Sequence, residues 1–251
     1  QHFSKNNFKS VLYSTLFGIP LPLCSCGVIP TAMSLRKNNA SKGATVSFLI
    51  STPQTGIDSI LATASLMGIP FAIIRPLAAL ITALVGGTLV NVVNKDEVEK
   101  ENLIDISSGT EKKDFKGRCI EALHYGFIEM MQDIGKYLII GLLIAGLITL
   151  FVPDDFFTIF AEYPFANMLL ILLFALPMYL CATGSIPIAA ALMLKGLSPG
   201  AAFVLLMAGP ATNMASILIV RKVLDKKTLI LYLTSIIIGA IGFGLTIDYL
   251  L

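Results

Sequence analysis

The sequence predicts an all-α polytopic membrane protein built as two inverted-topology repeats with broken or re-entrant helices. Three observations carry this expectation: long uncharged apolar runs, an internal duplication at constant offset, and a one-sided distribution of lysine and arginine. Of 251 residues, 55% are hydrophobic, and the mean hydropathy of +0.82 is far above that of a soluble domain. With 18 basic and 16 acidic side chains, the chain is too poor in charge to cover a soluble fold of this size. Residues 10–35, 165–194, 200–220 and 229–247 carry no charge at all. Each run is close to or above the roughly 20 apolar residues that a helix needs to cross a bilayer. The runs are continuous rather than alternating, which argues against a β-barrel. A soluble enzyme, a disordered chain and a disulfide-stapled secreted scaffold are excluded on the same grounds.

Along the chain, residues 1–93 form a first repeat, 94–118 a linker, and 119–251 a second repeat. The linker, NKDEVEKENLIDISSGTEKKDFKGR, is dense in charge and cannot sit in lipid. Shifting the first half by 157 positions lays residues 16–56 on 173–213 without a gap, with 16 of 41 positions identical. The matches include Pro20 with Pro177, Cys24 with Cys181, Gly27 with Gly184, Pro30 with Pro187, Gly43 with Gly200, Pro53 with Pro210 and Thr55 with Thr212. Shared apolar residues arise by chance; prolines and glycines in register indicate a duplication. A helix expected over 137–152 precedes the block in the second half. Its counterpart would lie before Gln1, so the first repeat is expected to be N-terminally incomplete.

Topology follows from the basic residues. With the linker cytoplasmic, Lys5, Lys9, Arg36, Lys37, Lys42, the six basic residues of the linker, Lys136, Arg221, Lys222, Lys226 and Lys227 fall inside. Arg75 and Lys195 alone fall outside, so the basic tip of repeat one faces inward and its partner outward. This inversion, combined with broken helices, is the pattern of secondary transporters, whose sites lie near the midplane at the repeat interface.

Each repeat has two helix-breaking segments: PLPLCSCGVIP (20–30) matched by CATGSIP (181–187), and STPQTG (51–56) matched by AGPATN (208–213). Backbone groups freed by proline and glycine at membrane depth need partners in protein, water or substrate. Proline and glycine are common in membrane helices, but four breaks at matched positions point to a central site lined by Thr52, Gln54, Thr55, Thr212 and Asn213. Three of the four cysteines, Cys24, Cys26 and Cys181, lie in these breaks, whereas Cys119 lies at the linker edge. A lone membrane cysteine is usually a small apolar filler. A C-x-C pair with a third thiol at the symmetry-equivalent place reads instead as a soft-ligand set for Cu(I), Zn(II) or trivalent arsenic. A C-x-C disulfide is disfavoured by strain.

Among ionisable residues, Asp58 follows the second break, either capping the next helix or coupling to protons. Glu129 and Asp133, four apart on one helix face, are further coupling candidates near the cytoplasmic end. Arg75 is expected to snorkel from the outer end of an apolar helix over 71–93. His2 and His124 are too isolated to read as metal ligands. There is no phosphate-binding loop, so any ATP would be used by an accessory subunit. No hydrolytic triad, zinc-protease motif or nucleic-acid patch is present, and no cofactor is expected.

The string PLCSCGVIP, with SLRKNNASKGATVSFLISTPQTGIDSI, HYGFIEMMQDIGKYLIIGLLIAGLI and MAGPATN, resembles the predicted-permease family that includes the ArsP-type organoarsenical efflux permeases. The likeness is closest to its copper/zinc efflux branch and spans nearly the whole chain outside the linker. It implies a multi-pass permease of the prokaryotic inner membrane that exports a toxic soft metal or metalloid. Cys24 and Cys26 match the family's cysteine motif; repeat two carries Thr183 opposite Cys26, so a four-thiolate site is not available from these breaks. The leading expectation is alternating-access export around Cys24, Cys26 and Cys181, by a chain embedded in lipid alone, as a homo-oligomer or with an accessory subunit. Two alternatives stay open: a permease for a sulfur-containing anion such as thiosulfate, and a membrane thiol oxidoreductase using Cys24 and Cys26 as a redox pair.

Overall fold

The computed structural model describes residues 7–21, 23, 25–94, 164–175, 180–194, 196–212, 217, 220–221 and 224–250. Among these residues the fold is all-helical, without strands. The first half contains α1 (Phe8–Gly18), α2 (Ser25–Lys37), α3 (Lys42–Ser51), a 3-10 turn (Thr52–Gln54), α4 (Ile57–Leu66) and α5 (Ile69–Val93). The second contains α6 (Pro164–Ala175), α7 (Ser185–Leu194), α8 (Pro199–Ala211) and α9 (Lys226–Leu250). The linker 94–118, apart from Asn94, and the helix expected over 137–152 lie outside the described residues.

Among the described residues, helices α5 and α9 are the two long enough and apolar enough to cross a membrane. At 1.5 Å per residue, 25 residues reach about 37 Å. Ile69, Ile73, Leu77, Ile81, Val85, Leu89 and Val92 leave one face of α5 apolar and exposed, as a lipid-facing stripe requires. Its opposite face is small, with Ala78, Ala79, Thr82, Ala83, Gly86 and Gly87 buried. Small residues let helix backbones approach closely in a bilayer, where apolar burial alone gives no drive to associate. The shorter α3 and α8 run between the long helices, buried along their whole length except at Pro199, the first residue of α8.

The 157-residue offset persists well beyond the stretch of sequence identity. The spans of α5 and α9 coincide under it to the residue, and those of α1 and α6 to within one. Ser41 caps α3 by accepting from the Ala44 amide at 3.1 Å, and Ser198 caps α8 by accepting from the Ala201 amide at 3.2 Å. The turn after α2 takes Asn39 to φ 62°, and the turn after α7 takes Gly196 to φ 93°. Both turns close alike: the Ala40 amide donates to the Leu35 carbonyl and the Leu197 amide to the Leu192 carbonyl, each at 3.0 Å. The Gly43 amide donates to Asn91 Oδ1 at 3.0 Å, and the Gly200 amide to Asp248 Oδ1 at 2.6 Å.

Contacts between the halves are reciprocated. Helix α7 packs on α4, and its counterpart α2 shares an apolar pocket with Val220 and Leu224, which are equivalent to Thr63 and Met67 of the first half. Thr82 packs directly on Gly239, its own equivalent.

Three loops predicted to share a side meet at one end of the molecule. Lys42 forms an ion pair with Asp225, and Asn94, where the linker begins, donates to Thr228 Oγ1 at 3.2 Å. The hydrogen bond from Lys42 is the main reason the Asp225 carboxyl sits below its ordinary range; partial burial opposes it, and the charges of Lys42 and Arg36 reinforce it. A depressed carboxyl pKa contributes stability above the unfolded value near 3.9, and that contribution is lost as pH falls through the folded value. The Asp225 side chain is 55% exposed, so solvent screening limits the pair to about 1 kcal/mol or less. Asp225→Asn is therefore expected to lower the melting temperature slightly at pH 7, and to leave parent and variant alike below about pH 3. Thermal melts of both proteins across that range check this.

The breaks are shorter than the sequence suggests. Chain 20–30 does not stay unwound: α2 begins at Ser25 and carries Pro30 inside it. Cys26 therefore lies in the first turn of a helix. The 3-10 turn and the non-helical Thr55–Gly56 step do interrupt 51–56.

Candidate functional site

Segment 181–184 is a non-helical turn before α7, closed by the Ser185 amide donating to the Cys181 carbonyl at 2.9 Å. Cys181 is a free, exposed thiol. The next residue, Ala182, presents its carbonyl to the Ser185 hydroxyl at 3.0 Å and to Arg75 Nη2 at 3.4 Å. Thr183 donates its hydroxyl to Asp58 Oδ2 at 3.2 Å, in the first turn of α4. The two halves thus meet through side chains at this turn.

Arg75 is the centre of the cluster and corrects the expectation that it snorkels. It is fully buried, six residues into α5. A reach to the interface is unnecessary, because the neighbouring turn supplies acceptors at depth. Nη1 donates to Thr63 Oγ1 at 2.9 Å, and Thr63 Oγ1 in turn donates to the Ser59 carbonyl at 2.7 Å. Nε has no hydrogen-bond partner. Asp58 and Cys181 both lie within electrostatic reach of the guanidinium. The position equivalent to Arg75 is Tyr232, also buried, whose hydroxyl donates to the Ala211 carbonyl at 2.5 Å. A polar side chain at this depth of each long helix holds backbone at a break.

The second pair of segments lies in the buried interior, and only the first of them is a break: α8 runs helical through Ala211 and carries Pro210 within it, against the expectation for 208–213. Gln54 is buried and donates Nε2 to the Met207 carbonyl of α8 at 3.1 Å, a further bridge between halves. Thr55 Oγ1 lies 3.2 Å from the Ile19 carbonyl and 3.0 Å from the Ser51 carbonyl, pinning the two breaks of repeat one together. Thr212 Oγ1 donates back to the Ala208 carbonyl at 2.7 Å. Thr52 is buried, and its hydroxyl has no partner. Cys24, Asn213, Glu129, Asp133 and the side chain of Cys26 lie outside the described residues. Among those described, no three of His, Cys, Asp and Glu gather as a metal site.

Sequence reasoning gave Arg75 only a snorkelling role, named Thr183 only as the residue opposite Cys26, and passed over Thr63. The signal for Arg75 was present: a charge inside an apolar run is a functional candidate by default, and it stood opposite Tyr232 under the duplication.

Known proteins resemble this chain over most of its length. A putative two-component membrane permease complex subunit of Streptococcus mutans serotype c is 25% identical over 232 residues, 90% of this chain and 76% of the relative. The UPF0718 protein YraQ of Escherichia coli (strain K12) is 25% identical over 240 residues, 95% of this chain and 67% of the relative. The UPF0718 protein YcgR of Bacillus subtilis (strain 168) is 23% identical over 249 residues, 97% of this chain and 83% of the relative. No solved structure gives a significant match. The model of the predicted-permease family ArsP_1 matches residues 1–249. With apolar helices long enough to span a membrane and a polar cluster buried between two like halves, the chain belongs to this family of predicted permeases, whose function is membrane transport.

Proposed function

We propose that this permease exports a thiophilic heavy metal or metalloid, Cu/Zn or a trivalent arsenical, by alternating access through a midplane site bounded by Cys24, Cys26 and Cys181. The observation that carries this reading is Cys181. A free, exposed thiol stands in a non-helical turn where the halves meet, beside a buried guanidinium and the Asp58–Thr183 contact. Thiolates bind soft ions, and bound thiols release protons. In this reading Asp58 takes up such a proton, with Glu129 and Asp133 as further coupling groups. Thr52, Gln54, Thr55, Thr212 and Asn213 line the path.

The inverted arrangement is supported by the reciprocated contacts and by Thr82 meeting its own equivalent, Gly239, as an approximate two-fold axis between the halves requires. The basic-residue balance supports a cytoplasmic linker and a multi-pass position in a prokaryotic inner membrane. The relative described as a two-component complex subunit supports an accessory subunit for this chain as well.

In an export-deficient host, the parent is expected to confer resistance to at least one of Cu, Zn, arsenite or methylarsenite. Cys24→Ser/Cys26→Ser and Cys181→Ser are each expected to abolish it. Equal protection by parent and variants, at equal abundance, contradicts a thiol site.

A second reading is favoured by Arg75. A buried guanidinium with a free Nε suits an oxyanion, so a sulfur-containing anion such as thiosulfate is the competing substrate. Growth rescue on thiosulfate as sole sulfur source, independent of metal, would select it.

A further inference from the structure

We propose that Ser51 and Thr52, which crowd against Gly18, together with Gln54 two residues on, form a binding site for a small hard monovalent cation of the alkali-metal class. Ser51 Oγ, Thr52 Oγ1 and Gln54 Oε1 are all fully buried and have no hydrogen-bond partner. Most buried hydroxyls nearby behave otherwise: Thr15, Thr55, Thr63 and Thr212 each donate to a carbonyl one turn back. An unpartnered buried hydroxyl costs about 1–3 kcal/mol, so three such oxygens on one short stretch call for a ligand.

The geometry converges. A Cβ placed on Gly18 would lie 2.6 Å from Thr52 Oγ1 and 2.7 Å from Ser51 Oγ. Both hydroxyls therefore press on the bare face of Gly18 and lie within 2.7 Å of one point there. Gly18 ends α1 and Ser51 ends α3, so two helix C-termini meet there. Helix C-termini carry partial negative charge and favour cations; broken helices use such ends to coordinate ions in transporters. The amide nitrogen of Gln54 is committed to the Met207 carbonyl, which leaves its oxygen as the available group. Neutral oxygens without a carboxylate suit a monovalent ion, since divalent cations draw on carboxylate ligands.

The duplication supplies an internal control. Under the 157-residue offset, Gly18, Ser51, Thr52 and Gln54 correspond to Ala175, Ala208, Gly209 and Ala211. Repeat two packs α6 against α8 as repeat one packs α1 against α3, yet with a methyl at the position of Gly18 and no side-chain oxygen at the three others. The fold therefore does not need these polar groups. They are confined to the repeat whose breaks are tied together through Thr55 and Ile19. As the coupling ion of a permease, the cation rests on the transport reading; its binding does not.

The test needs no transported substrate. The purified full chain in detergent is melted in rising NaCl or KCl, with choline chloride holding ionic strength constant. A saturable rise in melting temperature is expected with sodium or potassium but not choline. Ser51→Ala/Thr52→Val should raise the half-saturating concentration at least about tenfold, and Thr52→Ser should restore it. Should the double variant fail to accumulate, Ser51→Ala alone, which installs the repeat-two residue, carries the comparison. Equal melting in all three salts, or an unaltered response of the variant, overturns the proposal. Loss of metal resistance in cells would leave this result untouched, so the two readings fail separately.

Discussion

Replacing Gly43 or Gly200 with alanine is expected to remove most folded protein from the membrane. A methyl at Gly43 would overlap the Gly87 carbonyl and the Asn91 side chain; one at Gly200 would overlap the Gly244 carbonyl and the Asp248 side chain. The obstacle on each side is helix backbone, which cannot rotate away as a side chain can. The overlap also breaks the hydrogen bonds from the Gly43 and Gly200 amides to Asn91 and Asp248. Overpacking of this kind costs roughly 1–3 kcal/mol or more, and the lost hydrogen bond about another 1. Against a typical stability of about 5–15 kcal/mol this is a large fraction. The two variants should fail to a similar degree, because the two contacts are the same contact repeated. Gly242→Ala is the control: nothing lies within 4 Å of its added methyl, and alanine is the better helix former by about 1 kcal/mol. Detergent-solubilised yield and melting temperature measure all three. A fully folded Gly43→Ala would mean that α3 and α5 do not approach as closely as described.

Arg75→Leu is expected to abolish transport while leaving the fold as stable as the parent or more so. The neighbours do not depend on the guanidinium. Thr63 still bonds the Ser59 carbonyl, and the Ala182 carbonyl still accepts from Ser185. Asp58, the carboxylate facing it, is exposed, so an apolar side chain of similar volume removes the desolvation cost of a buried charge without leaving another one unpaired inside. Stability held below its optimum at a working site is a common trade. What the variant loses is the link from α5 to the turn bearing Cys181 and the charge facing Asp58. Transport should fall on the order of 100-fold, the scale of a removed buried charge contact. Arg75→Lys keeps the charge without the two-pronged geometry and should fall between. Rates in membrane vesicles set beside melting temperatures separate the outcomes. An unfolded Arg75→Leu with a stable Arg75→Lys would assign the residue to structure alone.

How much of this was legible in the sequence depended on whether geometry had kept residue identity. The duplication was readable over 16–56, where prolines, glycines and a cysteine repeat unchanged. It continued unread through α5 and α9, because there the role is kept and the residue is not. Asn91 and Asp248 both offer an Oδ1 to a glycine amide. Inside the readable block the same holds at one unmatched position, where Asn39 and Gly196 both take a positive φ. Arg75 was misplaced for a different reason. A cation a few residues inside an apolar run looks interfacial unless the packing of a distant segment is known, and Ala182 is 107 residues away. The extent of the first break was overread because Pro30 suggests disruption, yet α2 carries it within its length.

The most direct test of soft-substrate export is uptake into everted membrane vesicles. Cu(I), Zn(II), arsenite and methylarsenite are supplied in turn, to vesicles bearing the parent or a Cys24→Ser/Cys26→Ser/Cys181→Ser variant, with and without collapse of the proton gradient. The parent is predicted to accumulate at least one of the four in a gradient-dependent manner, and the variant none. Equal accumulation by parent and variant, or metal-independent accumulation of thiosulfate with none of the four, would contradict a permease that carries soft ions on its thiols.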